Sequence, residues 1–438
     1  MNDEIVNKPL SHTLINFQPG LHSKVCVSAL ETYAYARREA IVLDLITLVS
    51  AVEYADRLVQ RSTRHWSRSL ELHVPVYEVS RWRNAAVSTA LHNVLNFLTG
   101  DTWQVVFEPR EGEPIPKPQD TLPFDTDLNC VMAYSDGLDS RAVAHIYPSN
   151  PRELMRVRVG SKANAGIRQG KKVLPFTGIP YELKLPKGHR ESSARSRGLK
   201  FAITGGVAAY LLDIQSVIVP ESGQGVFGPA LIPVGRSYAD YRNHPLFTSK
   251  VEDFLRILLN HNVKFMFPRI WNTKGETLRE YAALGKEDWT ETRSCWQDSR
   301  WCSVNKKRRH CGICAACFLR RITVHSAGLT EPNEQYICER LNSATLEGSL
   351  APGFKLGKTF REYAIAGALQ MEHFALEADD TNLSKLRRHA SMVAPTLEMS
   401  TDEAMEKLVS LIQRHAIEWQ GLLDSSGSHS FLNKWVRG

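Results

Sequence analysis

The chain has 438 residues, 43% of them hydrophobic and 23% charged, which is typical of a globular protein with two or three domains. No apolar run approaches the roughly 18 residues of a membrane span. The N-terminal stretch MNDEIVNKPL lacks the basic start and apolar core of a signal peptide. We therefore expect a cytoplasmic protein without a membrane partner. The net charge of +7 is typical of a solvated surface, and we expect no requirement for nucleic acid.

Residues 1–125 predict an N-terminal accessory α+β domain. Apolar positions recur every three or four residues in its first helix, and Gly100 ends its second. A Pro-rich stretch at 109–123 predicts a linker. The predicted order of elements is helix 36–61, strand 69–76, helix 84–100 and strand 103–109.

Residues 126–330 alternate between strand-like and helix-like segments, which predicts an α/β fold with a parallel sheet. The predicted strands are 128–134, 154–160, 216–220 and 263–268. The predicted helices are 139–147, 199–213, 251–260 and 275–284. Residues 331–438 form a C-terminal region that we expect to be mostly helical, for instance at 401–423.

The turn between strand 128–134 and the following helix is rich in groups that bind anions. A helix N-terminus offers free backbone N–H groups to a phosphate, and Gly137 lets the backbone approach closely. The hydroxyls of Ser135 and Ser140 add hydrogen bonds. Asp139 fits such a site if a divalent cation lies between its carboxylate and the phosphates. The alternative is an ordinary loop whose polar residues cap the helix.

Five of the eight cysteines lie between positions 295 and 317, a clustering that indicates a metal rather than a disulfide framework. Cys311, Cys314 and Cys317 are spaced as C-x2-C-x2-C, with Cys295 and Cys302 upstream. Four thiolates can close a tetrahedral shell around a structural Zn²⁺, although an iron–sulfur cluster would use the same atoms.

The motif YSDGLDS resembles the S-G-G-x-D-S loop of the PP-loop ATPases, which split ATP between its α- and β-phosphates and adenylate a substrate. The resemblance implies an adenine nucleotide alpha hydrolase-like fold and Mg²⁺ held by Asp139. The motif departs from the pattern at Asp136, which replaces the first glycine. The nucleotide-binding residues that it implies are Ser135, Asp136, Gly137, Leu138, Asp139 and Ser140.

A wider resemblance, over roughly residues 127–325, is to QueC-type 7-cyano-7-deazaguanine synthases. Residues Thr292 to Arg320 contain the motifs of this family in the same order, namely T-x-S-C-aromatic, C-G-x-C-x-x-C and a trailing Arg. The segments RGLKF, with Arg197, and TKGE, residues 273–276, resemble two further family motifs. The resemblance implies a QueC-like PP-loop ATPase domain over 126–330. The T-x-S-C-aromatic motif favours Cys295 as the fourth zinc ligand, whereas the spacing to Cys311 favours Cys302.

The resemblance implies a ligase that forms AMP and pyrophosphate. A deazaguanine carboxylate attacks the α-phosphate of ATP, ammonia converts the adenylate to an amide, and a second round gives the nitrile. Asp139, Ser140 and Arg197 would be the catalytic residues, with a surface arginine as the alternative for Arg197. We interpret Lys274 as a surface lysine of a first helical turn, with contact to phosphate as the alternative. We interpret residues 223–228, GQGVFG, as a mobile loop because two prolines follow.

The regions outside this resemblance are similar to those of longer QueC-like proteins of bacterial anti-phage operons, of the QatC type. They imply a protein partner from the same operon, whose amine would replace ammonia. Two alternatives stay open. One is a free-standing 7-cyano-7-deazaguanine synthase of queuosine biosynthesis. The other is a nucleotide-binding scaffold without catalysis, which the departure at Asp136 favours.

Overall fold

The computed structural model describes most of the chain. Residues 113–123 of the expected linker lie outside the described part. The described residues are 13–25, 39–61, 67–112, 127–160, 168–169, 172–188, 191, 194–233, 238–297 and 302–437.

The backbone divides into two compact units, and each unit contains several stretches of the chain. Unit 1 comprises Met1–Ala133, Arg152–Val217 and Phe247–Phe265. Unit 2 comprises Tyr134–Pro151, Ile218–Leu246 and Met266–Gly438. This division does not follow the three regions expected from the sequence, and those regions stay a prediction.

The structure contains both strands and helices. The strands are β1 Thr13–Asn16, β2 Ser23–Val25, β3 Ser69–Val76, β4 Thr102–Pro109, β5 Cys130–Ala133, β6 Leu154–Val159, β7 Arg168–Gln169, β8 Lys172–Val173, β9 Phe176–Ile179, β10 Tyr181–Leu183, β11 Ser216–Ile218, β12 Lys264–Met266, β13 Ser303–Val304 and β14 Lys307–Arg308. The α-helices are α1 Ala40–Leu58, α2 Val79–Trp82, α3 Ala85–Thr99, α4 Leu138–Ile146, α5 Arg197–Leu212, α6 Gly223–Leu231, α7 Pro245–Leu259, α8 Lys274–Ala283, α9 Ala315–Ser326, α10 Lys358–Ala375, α11 Leu383–Val393, α12 Thr401–Ser426 and α13 Phe431–Arg437. Short 3₁₀ helices are Asp288–Glu291, Asn333–Gln335, Glu347–Ser349, Leu376–Ala378 and Asp380–Asn382.

The N-terminal sheet of unit 1 has the strand order β1-β3-β4, and both pairs run parallel. Alternate residues of β3, from Leu70 to Val76, are fully buried, as the period of a strand requires. Helix α3 ends at Gly100, which adopts a left-handed conformation with φ of 69°. The parallel pairing is typical of an α/β arrangement, whereas the sequence predicts an α+β domain for this region.

A second sheet has the strand order β12-β11-β5-β6-β9, in which β5, β6 and β9 pair in parallel. The prediction of an α/β fold with a parallel sheet is therefore confirmed at the level of fold class. The chain leaves β5 at Ala133 and enters α4 through a tight turn, residues 134–137. This turn carries the predicted anion-binding residues.

The prediction of a mobile loop at residues 223–228 is wrong, because these residues form the first turns of α6. Val226 and Phe227 are buried in an apolar cluster of unit 2. Gly223 packs so tightly that a Cβ there would lie 2.2 Å from the carbonyl oxygen of Ile270. This packing outweighs the low helix propensity of three glycines and tolerates Pro229 within the helix.

The C-terminal residues of unit 2 are mainly helical, and α12 confirms the predicted helix at 401–423. Gly367 of α10 lies directly on the backbone of the cysteine-rich segment, since a Cβ there would be 2.5 Å from the carbonyl oxygen of Ile313. In the part of the chain that is described, no helix is both long and apolar enough to cross a membrane.

The contact at Gly367 predicts that Gly367→Ala destabilises unit 2. The added methyl group would overlap the backbone at Ile313, and overpacking of this kind costs about 1–3 kcal/mol. Thermal unfolding should show a Tm lower by several degrees. Gly228→Ala is the control, because its Cβ would lie 3.7 Å from the ring of Phe374, an ordinary contact. An equal Tm for both variants would contradict the prediction.

Candidate functional site

The turn before α4, with the first residues of that helix, forms a compact corner, residues 135–140. The hydroxyl oxygens of Ser135 and Ser140 lie 2.9 Å apart, and the N–H of Gly137 donates to Ser135 Oγ at 3.1 Å. A Cβ at Gly137 would lie 2.9 Å from the same oxygen. The glycine thus allows the backbone to fold closely over Ser135, so that both hydroxyls and the helix N-terminus lie together.

Asp139, in the first turn of α4, is buried, and its Oδ2 forms an ion pair with Lys274 Nζ. Among the described residues, its second oxygen, Oδ1, is buried and accepts no hydrogen bond. A carboxylate oxygen left in this state is costly, because burial removes its water without replacing it. The atom is therefore available to a ligand or a cation.

The prediction that Lys274 is a surface lysine is wrong, because the residue is only 8% exposed. Burial opposes the charge of the ammonium group, but the carboxylates of Asp139 and Glu221 outweigh burial and raise the pKa of Lys274. The distance from Lys274 Nζ to Glu221 Oε1 is 3.6 Å. The corner therefore has one firmly charged cation between two acidic side chains.

Glu221 differs from an ordinary surface carboxylate. Burial raises its pKa from 4.5 to about 7, the charge of Asp139 adds to the rise, and Lys274 offsets part of it. Asn243 donates a hydrogen bond to Glu221 Oε2 at 3.0 Å. Near neutral pH this side chain is consequently divided between its neutral and charged forms.

A cavity of about 220 Å³ opens at the corner, and all its lining residues belong to unit 2. One part of the lining is polar and includes Asp139, Lys274 and Glu221. Another part is apolar, with Met371 and Phe374 of α10. A cavity with both kinds of lining suits a ligand that has an anionic tail and a flat apolar body.

The structure brings most of the predicted corner residues into this lining, but not all of the predicted site. Asp136 contributes its carbonyl oxygen to a 2.8 Å hydrogen bond from the N–H of Arg293. Arg197 belongs to unit 1, where its guanidinium lies 5.5 Å from the centre of the Phe201 ring. Its catalytic role stays a prediction, as does nucleotide binding by the corner. The predicted residues in the lining are Ser135, Gly137, Leu138, Asp139 and Ser140.

The sulfur atoms of four cysteines lie within 4.8 Å of one another. Gly312 has a φ of +81°, which explains a glycine directly after the first cysteine of the C-x2-C-x2-C motif. Tetrahedral zinc–thiolate bonds of about 2.3 Å place sulfur atoms roughly 3.8 Å apart, so the cluster could hold a metal such as zinc. Cys302 is buried outside this set of four. The four cysteines are Cys295, Cys311, Cys314 and Cys317.

Arg320 explains why an arginine follows the cysteines. It is 1% exposed, pairs with Glu331 and donates to Thr292 Oγ1 at 2.7 Å and Ser294 Oγ at 3.5 Å. These bonds hold the segment that carries Cys295. They also hold the backbone just before Trp296, whose side chain is 47% exposed and lines the cavity.

Comparison with known proteins identifies part of the chain. Residues 231–328 match the family model described as QueC, queuosine biosynthesis protein QueC. This segment of the chain is similar to QueC. The matched segment contains Lys274, Arg320 and the four clustered cysteines, whereas the corner at 135–140 and helices α10 to α13 lie outside it. No curated protein and no solved structure gives a significant match to the chain.

The cavity also involves residues that the sequence did not single out, namely Gln224 of α6, Glu221 before it, and His415 of α12. Helical periodicity predicts that His415 faces a core, but no local signal connects it with Gln224, which is 191 positions away. Only the packing of unit 2 brings these side chains together.

The four-cysteine cluster predicts that Cys295→Ser abolishes zinc binding, while Cys302→Ser retains about one zinc per chain. Loss of one thiolate opens the shell, so the first variant should also unfold at a lower temperature. Zinc content is measured by inductively coupled plasma mass spectrometry, together with Tm. Loss of zinc from Cys302→Ser, with retention in Cys295→Ser, would reverse the assignment of the fourth ligand.

The raised pKa of Glu221 predicts a pH-dependent loss of stability. The unfolded chain releases the proton near pH 4.5, whereas the folded protein keeps it until about pH 7. Wild-type protein should therefore lose stability relative to Glu221→Gln as the pH rises between these values, by on the order of 3 kcal/mol, with no further change above. Tm measured for both proteins from pH 4 to 8 tests this, and parallel curves would contradict it.

Proposed function

We propose that the chain is a QueC-like, ATP-dependent enzyme that adenylates a 7-deazaguanine carboxylate at the corner of unit 2. The observation that carries the proposal is the buried pair of Asp139 and Lys274 at the N-terminus of α4, with Asp139 Oδ1 left without a partner. An unligated protein gains little from such an oxygen, whereas a triphosphate site needs it.

In this proposal, the corner binds the β- and γ-phosphates of ATP. The amides at the start of α4 and the hydroxyls of Ser135 and Ser140 donate to phosphate oxygens, and the Lys274 ammonium neutralises part of their charge. Asp139 would hold Mg²⁺ with the oxygen that has no protein partner. The ion supplies positive charge to the departing pyrophosphate.

The reaction that fits these groups is attack by a substrate carboxylate oxygen on the α-phosphorus, with pyrophosphate as the leaving group. The carboxylate becomes an acyl adenylate, so the next nucleophile displaces AMP rather than oxide. The protein contributes alignment of the two reactants and stabilisation of the charge on the phosphates. The apolar lining at Phe374 and the exposed ring of Trp296 suit a flat heterocycle such as a deazaguanine.

The proposal extends to the nucleophile. Long regions on both sides of the family match support a protein partner from the same operon, whose amine would accept the deazaguanine in an anti-phage system. With ammonia as the nucleophile, the product would be the amide or nitrile of a free-standing synthase. A nucleotide-binding scaffold is the second candidate, which Asp136 favours because its carboxylate adds negative charge at the corner.

The test is pyrophosphate release in the presence of ATP, Mg²⁺ and 7-carboxy-7-deazaguanine. We expect Asp139→Asn and Lys274→Met to lower the rate by at least about a hundredfold, because each removes a charge that acts on the phosphates. Asp136→Gly, which restores the family pattern, is the matched control at the same corner and should retain or raise the rate.

The outcomes separate the candidates. Release by wild-type protein that depends on Asp139 supports an enzyme, whereas ATP binding without release supports the scaffold. Absence of ATP binding would refute the proposal. Mass spectrometry of the same reactions identifies the nucleophile, either as an amide or nitrile formed from ammonia or as a deazaguanine adduct on a partner protein.

A further inference from the structure

The C-terminal helices α10 and α12 reach the cavity although they lie outside the QueC match. Helix α10 contributes Met371 and Phe374 to the lining, and α12 contributes His415. Both helices belong to unit 2, and they share an apolar cluster with the clustered cysteines Cys311, Cys314 and Cys317. This region is thus built into the same core as the cavity.

Gln224 of α6 connects these helices to the corner. Its Oε1 accepts a hydrogen bond from the backbone N–H of Lys274 at 2.7 Å, and its Nε2 donates to His415 Nδ1 at 2.9 Å and to Glu418 Oε2 at 3.1 Å. The N–H of Lys274 is at the start of α8, where a helix leaves its first amides without intrahelical partners. Gln224 satisfies this donor, and α12 orients Gln224.

His415 can only act as an acceptor towards Gln224. Its side chain is fully buried, and burial lowers its pKa to about 4, so the ring is neutral at physiological pH. Nε2 donates to the carbonyl oxygen of Met371 at 3.0 Å, which leaves Nδ1 without a proton. The ring therefore has one tautomer, which matches the donor that Gln224 presents.

Glu418 also bonds directly to the N-terminus of α8. Its Oε1 accepts from Thr273 Oγ1 at 2.5 Å, and Thr273 is the N-cap of α8 in a capping box with Glu276. Gly275 allows this approach, because a Cβ there would lie 2.7 Å from Glu418 Oε1. Consequently, α12 is bonded both to the N-cap of α8 and, through Gln224, to the next residue.

We propose that α12 positions the cation of the phosphate corner: His415 and Glu418 orient Gln224, and Gln224 fixes the backbone from which Lys274 reaches Asp139. A lysine side chain has several rotatable bonds, so its ammonium is held in place only if its backbone is. His415, Glu418 and Gln224 are positioning residues. The proposal rests on the proposed function as far as ATP is concerned, while the orientation of Lys274 is independent of any nucleotide.

The test compares two replacements of His415. His415→Leu fills the space but removes the acceptor, whereas the Oδ1 of His415→Asn can replace Nδ1. We expect His415→Leu to raise the KM for ATP about tenfold, with the KM for 7-carboxy-7-deazaguanine unchanged and with substantial rescue in His415→Asn. Trp419→Phe is the matched control, because it removes a buried bond of α12 to Glu372, of 2.7 Å, that does not lead to Lys274.

A second measurement does not depend on nucleotide binding. The rate at which acetic anhydride acylates the Lys274 amine, read by peptide mass spectrometry, should rise several-fold in His415→Leu and stay unchanged in Trp419→Phe. If His415→Leu fails to fold, Glu418→Gln replaces it, since an –NH2 group then takes the place of one of the two oxygens that accept from Thr273 and Gln224. Its acylation rate should rise likewise.

An unchanged acylation rate in the folded variants, or equal losses in the Leu and Asn variants, would overturn the inference. If wild-type protein binds no ATP while the acylation rate of Lys274 still rises in the variants, the proposed function fails and the positioning role stands. A raised KM for ATP in Trp419→Phe equal to that in His415→Leu would indicate general destabilisation, and would also overturn the positioning role.

Discussion

The buried ion pair of Asp139 and Lys274 is the interaction on which the site in unit 2 depends. A carboxylate in this position requires a cation, because burial removes the water that would otherwise solvate it. The pair joins the first turns of α4 and α8, whose apolar faces pack together through Leu138, Leu278 and Tyr281. The same arrangement of the two helices therefore both buries their apolar side chains and brings the two charges together. The second oxygen of Asp139 remains available to a ligand.

The cysteine cluster and the C-terminal helices act on the same cavity from the other side. Arg320 ties the segment before Trp296 to α9, which begins directly after Cys314 and carries Cys317 in its first turn. Helix α10 covers that turn at Gly367, and α12 extends the contact to Gln224. A metal held by the four thiolates would accordingly stabilise a wall of the cavity without taking part in the chemistry.

Local patterns predicted much of the architecture, and the failures have a common cause. The strand at residues 69–76 and the glycine that ends α3 depend only on neighbouring residues, and both predictions are confirmed. The loop predicted at residues 223–228 is a helix because burial of Phe227 outweighs the glycines. The prediction of a surface position for Lys274 is wrong because its partners at 139 and 221 are distant in the chain.

Local spacing predicts the strand–turn–helix corner and the group of cysteines, because backbone geometry brings residues a few positions apart close together. The packing of unit 2, by contrast, sets which cation faces Asp139 and which carboxylate becomes partly neutral. It also brings His415 and Glu418 to Gln224 at the start of α8. These side chains are separated by 50 to 194 positions. Their meeting depends on how helices pack in three dimensions, and a one-dimensional pattern does not contain that information.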